Sequence, residues 1–136
     1  MSSQQVSKAL TALVIGGTGP TGYFIVNGLL TRGYRVAILH TGNHEVAEIP
    51  PSVEHIHTDP YDPDCLSDAL TGRQFTLCIA AYGRLRVIAE LMRERCEAFI
   101  SIGGQPCYLG YMNPLIHRPE GLVVPTGEPV SYTHLR

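Results

Sequence analysis

The sequence predicts an α/β fold in which a parallel β-sheet is covered by helices on both faces. Short apolar runs alternate along the chain with amphipathic segments. Continuous apolar runs are typical of strands buried on both faces, and strands that alternate with helices are typical of parallel sheets. The predicted strands are the apolar runs 12–15, 36–39, 75–81 and 98–102 and the alternating segment 53–57.

Three segments predict the helices between these strands. Residues 20–32 place apolar side chains at helical spacing and are followed by Gly33, a common helix stop. Residues 62–70 begin with Asp62, a favoured N-cap residue. Residues 84–95 have one apolar face and one face of arginine and glutamate, which is typical of a helix lying on a sheet.

Right-handed crossovers between the strands favour the strand order 3-2-1-4-5. We therefore predict a Rossmann-type, doubly wound parallel sheet that is truncated after about the fifth strand. Residues 41–52 are expected to be a loop with at most one helical turn. We expect residues 1–10 to be a disordered arm and residues 11–104 to be the Rossmann portion. Residues 105–128 have no regular periodicity and are expected to be a loop-rich segment.

The last residues, 129–136, contain PVSYTHL. A coding sequence for this stretch can match a transposon end used in preparing sequencing libraries. We interpret the segment as a non-native scar that takes no part in the fold, the alternative being an ordinary polar C-terminus.

Composition argues against several classes of function. The formal net charge is −2 and no basic stripe is present, so nucleic acid is not expected as a partner. No apolar run approaches the roughly 20 residues of a membrane span, and residues 1–8 lack the apolar core of a signal peptide. The four cysteines form no CxxC pair, which disfavours a disulfide framework and favours a reducing compartment. We expect a cytoplasmic protein away from membranes.

The segment GGTGPTG, residues 16–22, carries the clearest chemical signal. It follows a predicted strand and opens a predicted helix, the context of a dinucleotide-binding turn. We expect Gly16 to permit the tight turn, Gly19 to let a pyrophosphate approach the main chain, and Gly22 to let the helix pack close to the sheet. The helix amides and dipole then face the phosphates. The alternative is a glycine turn without a ligand. The predicted site also includes Gly17, Thr18, Pro20 and Thr21.

The stretch VIGGTGPTGYFIVNGLLTRGYRVAIL, residues 14–39, resembles the extended short-chain dehydrogenase/reductases, and most of all the NAD-dependent epimerase/dehydratase family. The resemblance covers about residues 13–124. It implies a Rossmann fold, bound NAD or NADP, and a chain that is the N-terminal part of a longer enzyme. The activity it implies is hydride transfer at a carbonyl or alcohol carbon of a small-molecule substrate, by an epimerase, dehydratase or reductase that could be a homodimer.

The resemblance also implies roles for residues beyond the glycine motif. In the family, an acid at the end of the second strand favours NAD and basic residues favour NADP. His40 stands there, which gives a slight preference for NADP, unless it is only a surface residue. Asp59 matches an aspartate that binds the adenine amino group, and otherwise it begins a turn. Ala80 and Ala81 match small residues beside the cofactor, and Tyr82 is either a wall of the site or a packed aromatic.

The family's catalytic pair is missing from the sequence. That pair is Tyr-x-x-x-Lys, in which the lysine lowers the pKa of a tyrosine that exchanges a proton with the substrate. The only lysine here is Lys8. Gly103 stands at the position of the family's catalytic serine, which leaves Ser101 as a weak catalytic candidate or a buried serine bonded to backbone. We expect the chain itself to be inactive, and a non-catalytic NAD(P)-binding sensor or scaffold is the alternative function.

A histidine pair raises the question of a metal site. His55 and His57 occupy alternate positions of a predicted strand and therefore share one face. Such a pair can bind a metal ion when further ligands are present. Because the sequence shows no third ligand at a metal-binding spacing, we predict no metal site.

Overall fold

A computed structural model describes residues 9–103 of the chain. All the predicted strands and helices are present, and each begins within two residues of its predicted start. The expected arm up to residue 8 and the segments 105–128 and 129–136 lie outside the described residues. In order, the elements are β1 (Thr11–Ile15), α1 (Gly22–Thr31), β2 (Arg35–His40), β3 (Glu54–His57), α2 (Pro63–Ala69), β4 (Phe75–Ala80), α3 (Leu85–Met92) and β5 (Cys96–Ser101).

The five strands form one sheet in the order β3-β2-β1-β4-β5, and every neighbouring pair is parallel. This confirms the predicted Rossmann-type order. The chain winds outward from β1 to β3 and then crosses back to β4, so the loops after β1 and β4 diverge and leave a crevice. Two hydrogen bonds join the strand ends at this crevice, from Gly16 N–H to Leu39 O (3.0 Å) and from Ala81 N–H to Ile15 O (3.0 Å).

Helices cover both faces of the sheet, as the apolar runs predict. On one face, α1 packs through Val26 and Leu29 against the strands. On the other face, α2 and α3 bury Leu66, Ile88 and Met92 against the sheet. Among residues 9–103, no helix combines the length and the apolar character that crossing a membrane would require.

The start of α1 differs from the sequence-based expectation. The helix begins at Gly22, so Pro20 precedes it and does not occupy its first position. The backbone before the helix makes two tight turns. They are closed by hydrogen bonds from Gly19 N–H to Gly16 O (3.2 Å) and from Gly22 N–H to Gly19 O (2.9 Å). These bonds span three residues, whereas helical bonds span four. The loop of residues 41–53 contains only turns and bends, without the helical turn that we considered there.

The start of α2 is held by Asp62, as the sequence predicts. Its Oδ1 accepts hydrogen bonds from the backbone N–H groups of Asp64 (2.9 Å) and Cys65 (3.1 Å). These bonds, from Cys65 first and then Asp64, lower the pKa of the Asp62 carboxyl group. The ionised side chain therefore satisfies two amides that have no acceptor within the helix.

Replacing Asp62 by alanine is expected to lower the thermal unfolding midpoint, because two first-turn amides lose their acceptor. Asp62→Asn keeps an acceptor oxygen but loses the charge, and is expected to restore only part of the loss. Since the folded-state pKa lies below the ordinary value, the charge contributes fully above the ordinary aspartate pKa and is lost as the pH falls through the folded-state value. Thermal scans at neutral pH and at pH about 2 measure this, with Asp68→Ala as a control on the same helix. An alanine effect that persists undiminished in acid would contradict the assignment.

Candidate functional site

A cleft of about 320 Å³ lies at the carboxyl ends of β1, β2 and β4. Doubly wound sheets bind their ligands at this edge, where the strand order reverses. Most of the predicted cofactor residues line it, whereas Gly17, Gly22, Asp59 and Ala80 do not. The lining residues are Gly16, Thr18, Gly19, Pro20, Thr21, His40, Thr41, His44, Ala81 and Tyr82.

Three glycines of the motif are required by the chain itself. Gly16 has a φ of +89°, and a Cβ there would lie 2.7 Å from Cβ of Tyr82. A Cβ on Gly17 would lie 2.7 Å from Cγ2 of Ile38 in β2, and a Cβ on Gly22 would overlap the backbone of Gly17. The close approach to the sheet is therefore made by Gly17. Gly22 packs against the loop that precedes its own helix, and our expectation that it lets the helix pack close to the sheet stays a prediction.

Gly19 differs from the other glycines of the motif. Its φ lies outside the left-handed region, so the backbone does not need glycine there. A Cβ on Gly19 would have one neighbour, the carbonyl oxygen of Gly16 at 3.5 Å, which is an ordinary contact. Within the described part of the chain, nothing fills the space in front of this residue. The glycine therefore keeps open a part of the cleft that residues 9–103 leave unfilled.

The N-terminus of α1 adjoins the same part of the cleft. Thr21 is the N-cap residue, yet its side chain makes no capping hydrogen bond. The first turn of the helix contains no acidic residue. Because the first amides of a helix lack intrahelical acceptors and its dipole is positive at this end, an anion is favoured here. Thr18 and Thr21 line the cleft, and their hydroxyls can add donors.

His40 ends β2 and is a buried residue, only 5% exposed, so the alternative of a surface histidine is wrong. The Gly42 N–H donates to His40 Nδ1 (3.2 Å), so a neutral ring carries its proton on Nε2. That N–H donates to Nδ1 of His55 (3.0 Å). Burial lowers the pKa of His40, and the nearby His57 and His55 lower it further against the opposing effect of Glu45. Near neutral pH, His40 therefore presents a neutral imidazole to the cleft.

The histidine pair on β3 has the further ligands that the sequence did not reveal. One ring nitrogen from each of His40, His55 and His57 and one carboxylate oxygen of Glu45 all lie within 4.8 Å of one another. The reason given for predicting no metal site, a missing third ligand, is therefore wrong. The register of the sheet brings the group together, because His40 and His57 are directly paired across β2 and β3.

Asp59 and Ala80 lie apart from the cleft lining. One carboxylate oxygen of Asp59 accepts the backbone N–H of Tyr61 (2.8 Å), so the side chain closes the turn that we considered as its alternative role. Ala80 is fully buried at the end of β4, and its carbonyl oxygen accepts the N–H of Ile102 (2.8 Å). Whether either residue contacts a cofactor stays a prediction.

Tyr82 lines the cleft after β4, whereas Ser101, at the end of β5, is not among the lining residues. Tyr82 is half-exposed and its ring meets the ring of Tyr61 edge-on, with centroids 5.1 Å apart. The side-chain hydrogen bond between Tyr82 and Tyr61 raises the pKa of Tyr82, because it stabilises the neutral phenol. Ser101 ends β5 opposite Ala80 and is exposed, so the alternative of a buried strand serine is wrong. Tyr82 is thus a wall of the cleft, and Ser101 stands at the neighbouring strand end.

Comparison with known proteins identifies the fold. No protein-family profile and no curated protein matches the sequence. Among solved structures, a UDP-galactose 4-epimerase is 17% identical with a TM-score of 0.58, over 73% of this chain and 40% of that one. The Bordetella bronchiseptica enzyme WbmG, solved in complex with NAD, is 13% identical with a TM-score of 0.62, over 77% of this chain and 41% of that one.

A short chain dehydrogenase family protein from Francisella tularensis is also similar, at 13% identity and a TM-score of 0.58, over 74% of this chain and 53% of that one. The chain has the Rossmann fold of these epimerases and dehydrogenases. The resemblance noted in the sequence is thus confirmed at the level of the fold. The chain spans only about half or less of the length of these structures.

Proposed function

We propose that residues 11–104 are the NAD(P)-binding portion of an enzyme of the extended short-chain dehydrogenase/reductase type. The observation that carries this proposal is Gly19, which lines the cleft although the fold does not need a glycine there. A glycine at this position is explained if a pyrophosphate approaches the main chain there, because a side chain would block it. The uncapped start of α1 and the fold shared with an enzyme solved with NAD support the same function.

The cleft offers a place for each part of the dinucleotide. The pyrophosphate would lie against the backbone of Gly19, with the hydroxyls of Thr18 and Thr21 as additional donors. The adenosine ribose would lie toward the end of β2, and the nicotinamide ribose toward Ala81 and Tyr82. When bound, the cofactor supplies the hydride chemistry, and the protein supplies its binding and orientation. The complete enzyme would act at a carbonyl or alcohol carbon of a small molecule, as an epimerase, dehydratase or reductase in the cytoplasm.

We propose NADP as the preferred form of the cofactor. Enzymes that select NAD place an acid at the end of the second strand, where it binds the ribose 2′-hydroxyl. None of the described residues that line this cleft is acidic. At the end of β2 the lining consists of His40, Thr41 and His44. His40 is buried and both of its ring nitrogens already make hydrogen bonds, to Gly42 and His55, so the exposed His44 is the side chain that would approach a 2′-phosphate.

Isothermal titration calorimetry of the full chain with NAD and with NADP tests this proposal. We expect one dinucleotide to bind per chain, and NADP to bind more tightly than NAD. Tighter binding of NAD would overturn the cofactor preference and leave the proposed function in place. Absence of binding by both, in protein that unfolds cooperatively on heating, would overturn the function itself.

The chain is proposed to bind the dinucleotide without turning it over. The sequence contains no Tyr-x-x-x-Lys pair, the pair whose tyrosine transfers the proton in the enzymes that the chain resembles. Gly103, at the position of the family's catalytic serine, favours a second candidate, a non-catalytic NAD(P)-binding sensor or scaffold. Reading the gene beyond residue 124 separates the two candidates. An encoded Tyr-x-x-x-Lys pair supports the enzyme, and a longer frame without the pair supports the sensor.

A further inference from the structure

A cluster of four side chains with metal-binding groups lies beside the cleft, at the carboxyl ends of β2 and β3. It consists of His40, Glu45, His55 and His57, whose ligand atoms lie within 4.8 Å of one another. We propose that this His–Glu cluster binds a divalent transition-metal ion of the Zn²⁺ type. The proposed dinucleotide function does not require such an ion, so the two proposals stand independently.

The sheet holds the three imidazoles in place. Parallel pairing of β2 and β3 aligns His40 with His57 and Ile38 with His55. Side chains two residues apart on a strand share a face, so His55 and His57 stand side by side on that face. The His40 ring meets both rings edge-on, with centroids 5.1 Å from His55 and 4.8 Å from His57. Ligands on strands are more precisely placed than ligands on loops, which lowers the cost of ordering them around an ion.

The spacings in the His–Glu cluster bracket those of a tetrahedral zinc site. With metal–nitrogen bonds of 2.0–2.1 Å, neighbouring ligand atoms lie about 3.3 Å apart. Here Nε2 of His40 and Nδ1 of His55 are 3.0 Å apart, Nε2 of His57 and Oε1 of Glu45 are 3.6 Å apart, and Nδ1 of His55 is 3.9 Å from the same oxygen. The widest spacing, 4.8 Å, would have to close by roughly 1.5 Å. The side chain of Glu45 is 63% exposed and that of His57 is 54% exposed, so both have room to move.

An ion in this position would replace the proton that His40 donates to His55. The Nε2 proton of His40 would leave that nitrogen, and the neutral ring would carry its proton on Nδ1 instead. The Gly42 N–H now donates to that nitrogen at 3.2 Å, so this hydrogen bond would be given up. The residues around Gly42 form an irregular loop, which can turn the amide away. The change of tautomer is a signature that a merely hydrogen-bonded cluster would not produce.

The donor set selects the class of metal. Three imidazole nitrogens and one carboxylate oxygen suit Zn²⁺ and its neighbours in the first transition row. Mg²⁺ and Ca²⁺ prefer oxygen ligands and are not expected to bind. The exposed Glu45 and His57 side chains leave a path by which an ion can enter from solvent.

Titration of the untagged full chain with Zn²⁺, and with Co²⁺ as a coloured substitute, tests the proposal. We expect one ion per chain, the visible absorption of tetrahedral Co²⁺, and a shift of the His40 ring proton from Nε2 to Nδ1 in nitrogen-detected NMR. His57→Phe keeps a ring and removes a ligand nitrogen, and Glu45→Gln removes the carboxylate. Mutation of a residue that only supports a metal ligand typically weakens metal binding roughly 10- to 100-fold. Because these two variants remove a ligand itself, we expect each to weaken Zn²⁺ binding at least as much.

Glu48→Gln is the matched control, because it removes an exposed carboxylate from the same loop outside the cluster. The proposal is overturned if Zn²⁺ does not bind, if Mg²⁺ binds equally well, or if Glu48→Gln and Glu45→Gln lose affinity to the same extent. If His57→Phe does not fold, the Zn²⁺ affinity of Glu45→Gln alone tests the proposal. The Glu45 side chain is exposed, so its replacement does not disturb the core.

Discussion

Replacement of Gly19 by valine is expected to abolish dinucleotide binding while leaving the chain folded. The valine side chain would occupy the part of the cleft that Gly19 keeps open, where we place the pyrophosphate. The backbone tolerates the change, since the φ of Gly19 is not left-handed and a Cβ would meet one oxygen at 3.5 Å. We expect affinity for NAD and NADP to fall by at least about 100-fold, or roughly 3 kcal/mol.

Calorimetric titration measures the binding, and a thermal scan of the same sample shows that the variant is folded. Gly28→Ala is the control, because Gly28 lies on α1 outside the cleft and a Cβ there would meet only the movable end of Arg32, at 3.3 Å. That control should bind as the unchanged chain does. If Gly19→Val binds with unchanged affinity, the pyrophosphate does not lie at Gly19 and the observation that carries the proposed function is lost.

The strand order could be predicted because it depends on local pattern and one general rule. Four strands are visible in the sequence as short apolar runs and the third as an alternating segment, and right-handed crossovers leave few ways to connect five strands in parallel. The N-cap of α2 was equally accessible, since an aspartate before a proline is a local signal. Both features can be predicted without knowing which residues from distant parts of the sequence lie nearby in the fold.

The roles of the individual glycines could not be assigned from spacing alone. The spacing marks Gly16, Gly19 and Gly22 as equivalent members of a motif, and it passes over Gly17. The structure separates them by what lies opposite each one, namely the Tyr82 side chain, the Ile38 side chain or the backbone of the same loop. Ile38 belongs to β2 and Tyr82 follows β4, so these two neighbours appear only once the arrangement of the strands is known, and the contact of Gly22 with Gly17 appears only once the path of the loop is known.

The His–Glu cluster was hidden for the same reason. The sequence shows His55 and His57 as a pair on one strand, but His40 is 15 positions from His55 and belongs to the strand beside it. Both β2 and β3 end at a histidine, and parallel strands with aligned ends bring their last residues together. That coincidence of strand ends was the one signal in the sequence that could have revealed a third ligand. The contribution of Glu45 depends on an irregular loop and had no sequence signal.

Gly22→Ala is expected to destabilise the fold strongly, although alanine is ordinarily the better helix former. Its Cβ would overlap the carbonyl oxygen, carbonyl carbon and Cα of Gly17. All of these are backbone atoms, so no side-chain rotation relieves the overlap. The loop would have to move away, which would break the hydrogen bond from Gly22 N–H to Gly19 O and the packing of Gly17 on Ile38.

Overpacking of this kind costs about 3 kcal/mol, which lowers the unfolding midpoint of a domain of this size by roughly 12–24 °C. Gly28→Ala makes the same substitution in the same helix without a backbone clash, and we expect it to raise the midpoint because alanine favours the helix. Thermal scans of the two variants should therefore shift in opposite directions. A Gly22→Ala midpoint close to that of the unchanged chain would show that the helix does not start against Gly17. It would also remove the distinction between glycines that the fold needs and the one, Gly19, that only a ligand explains.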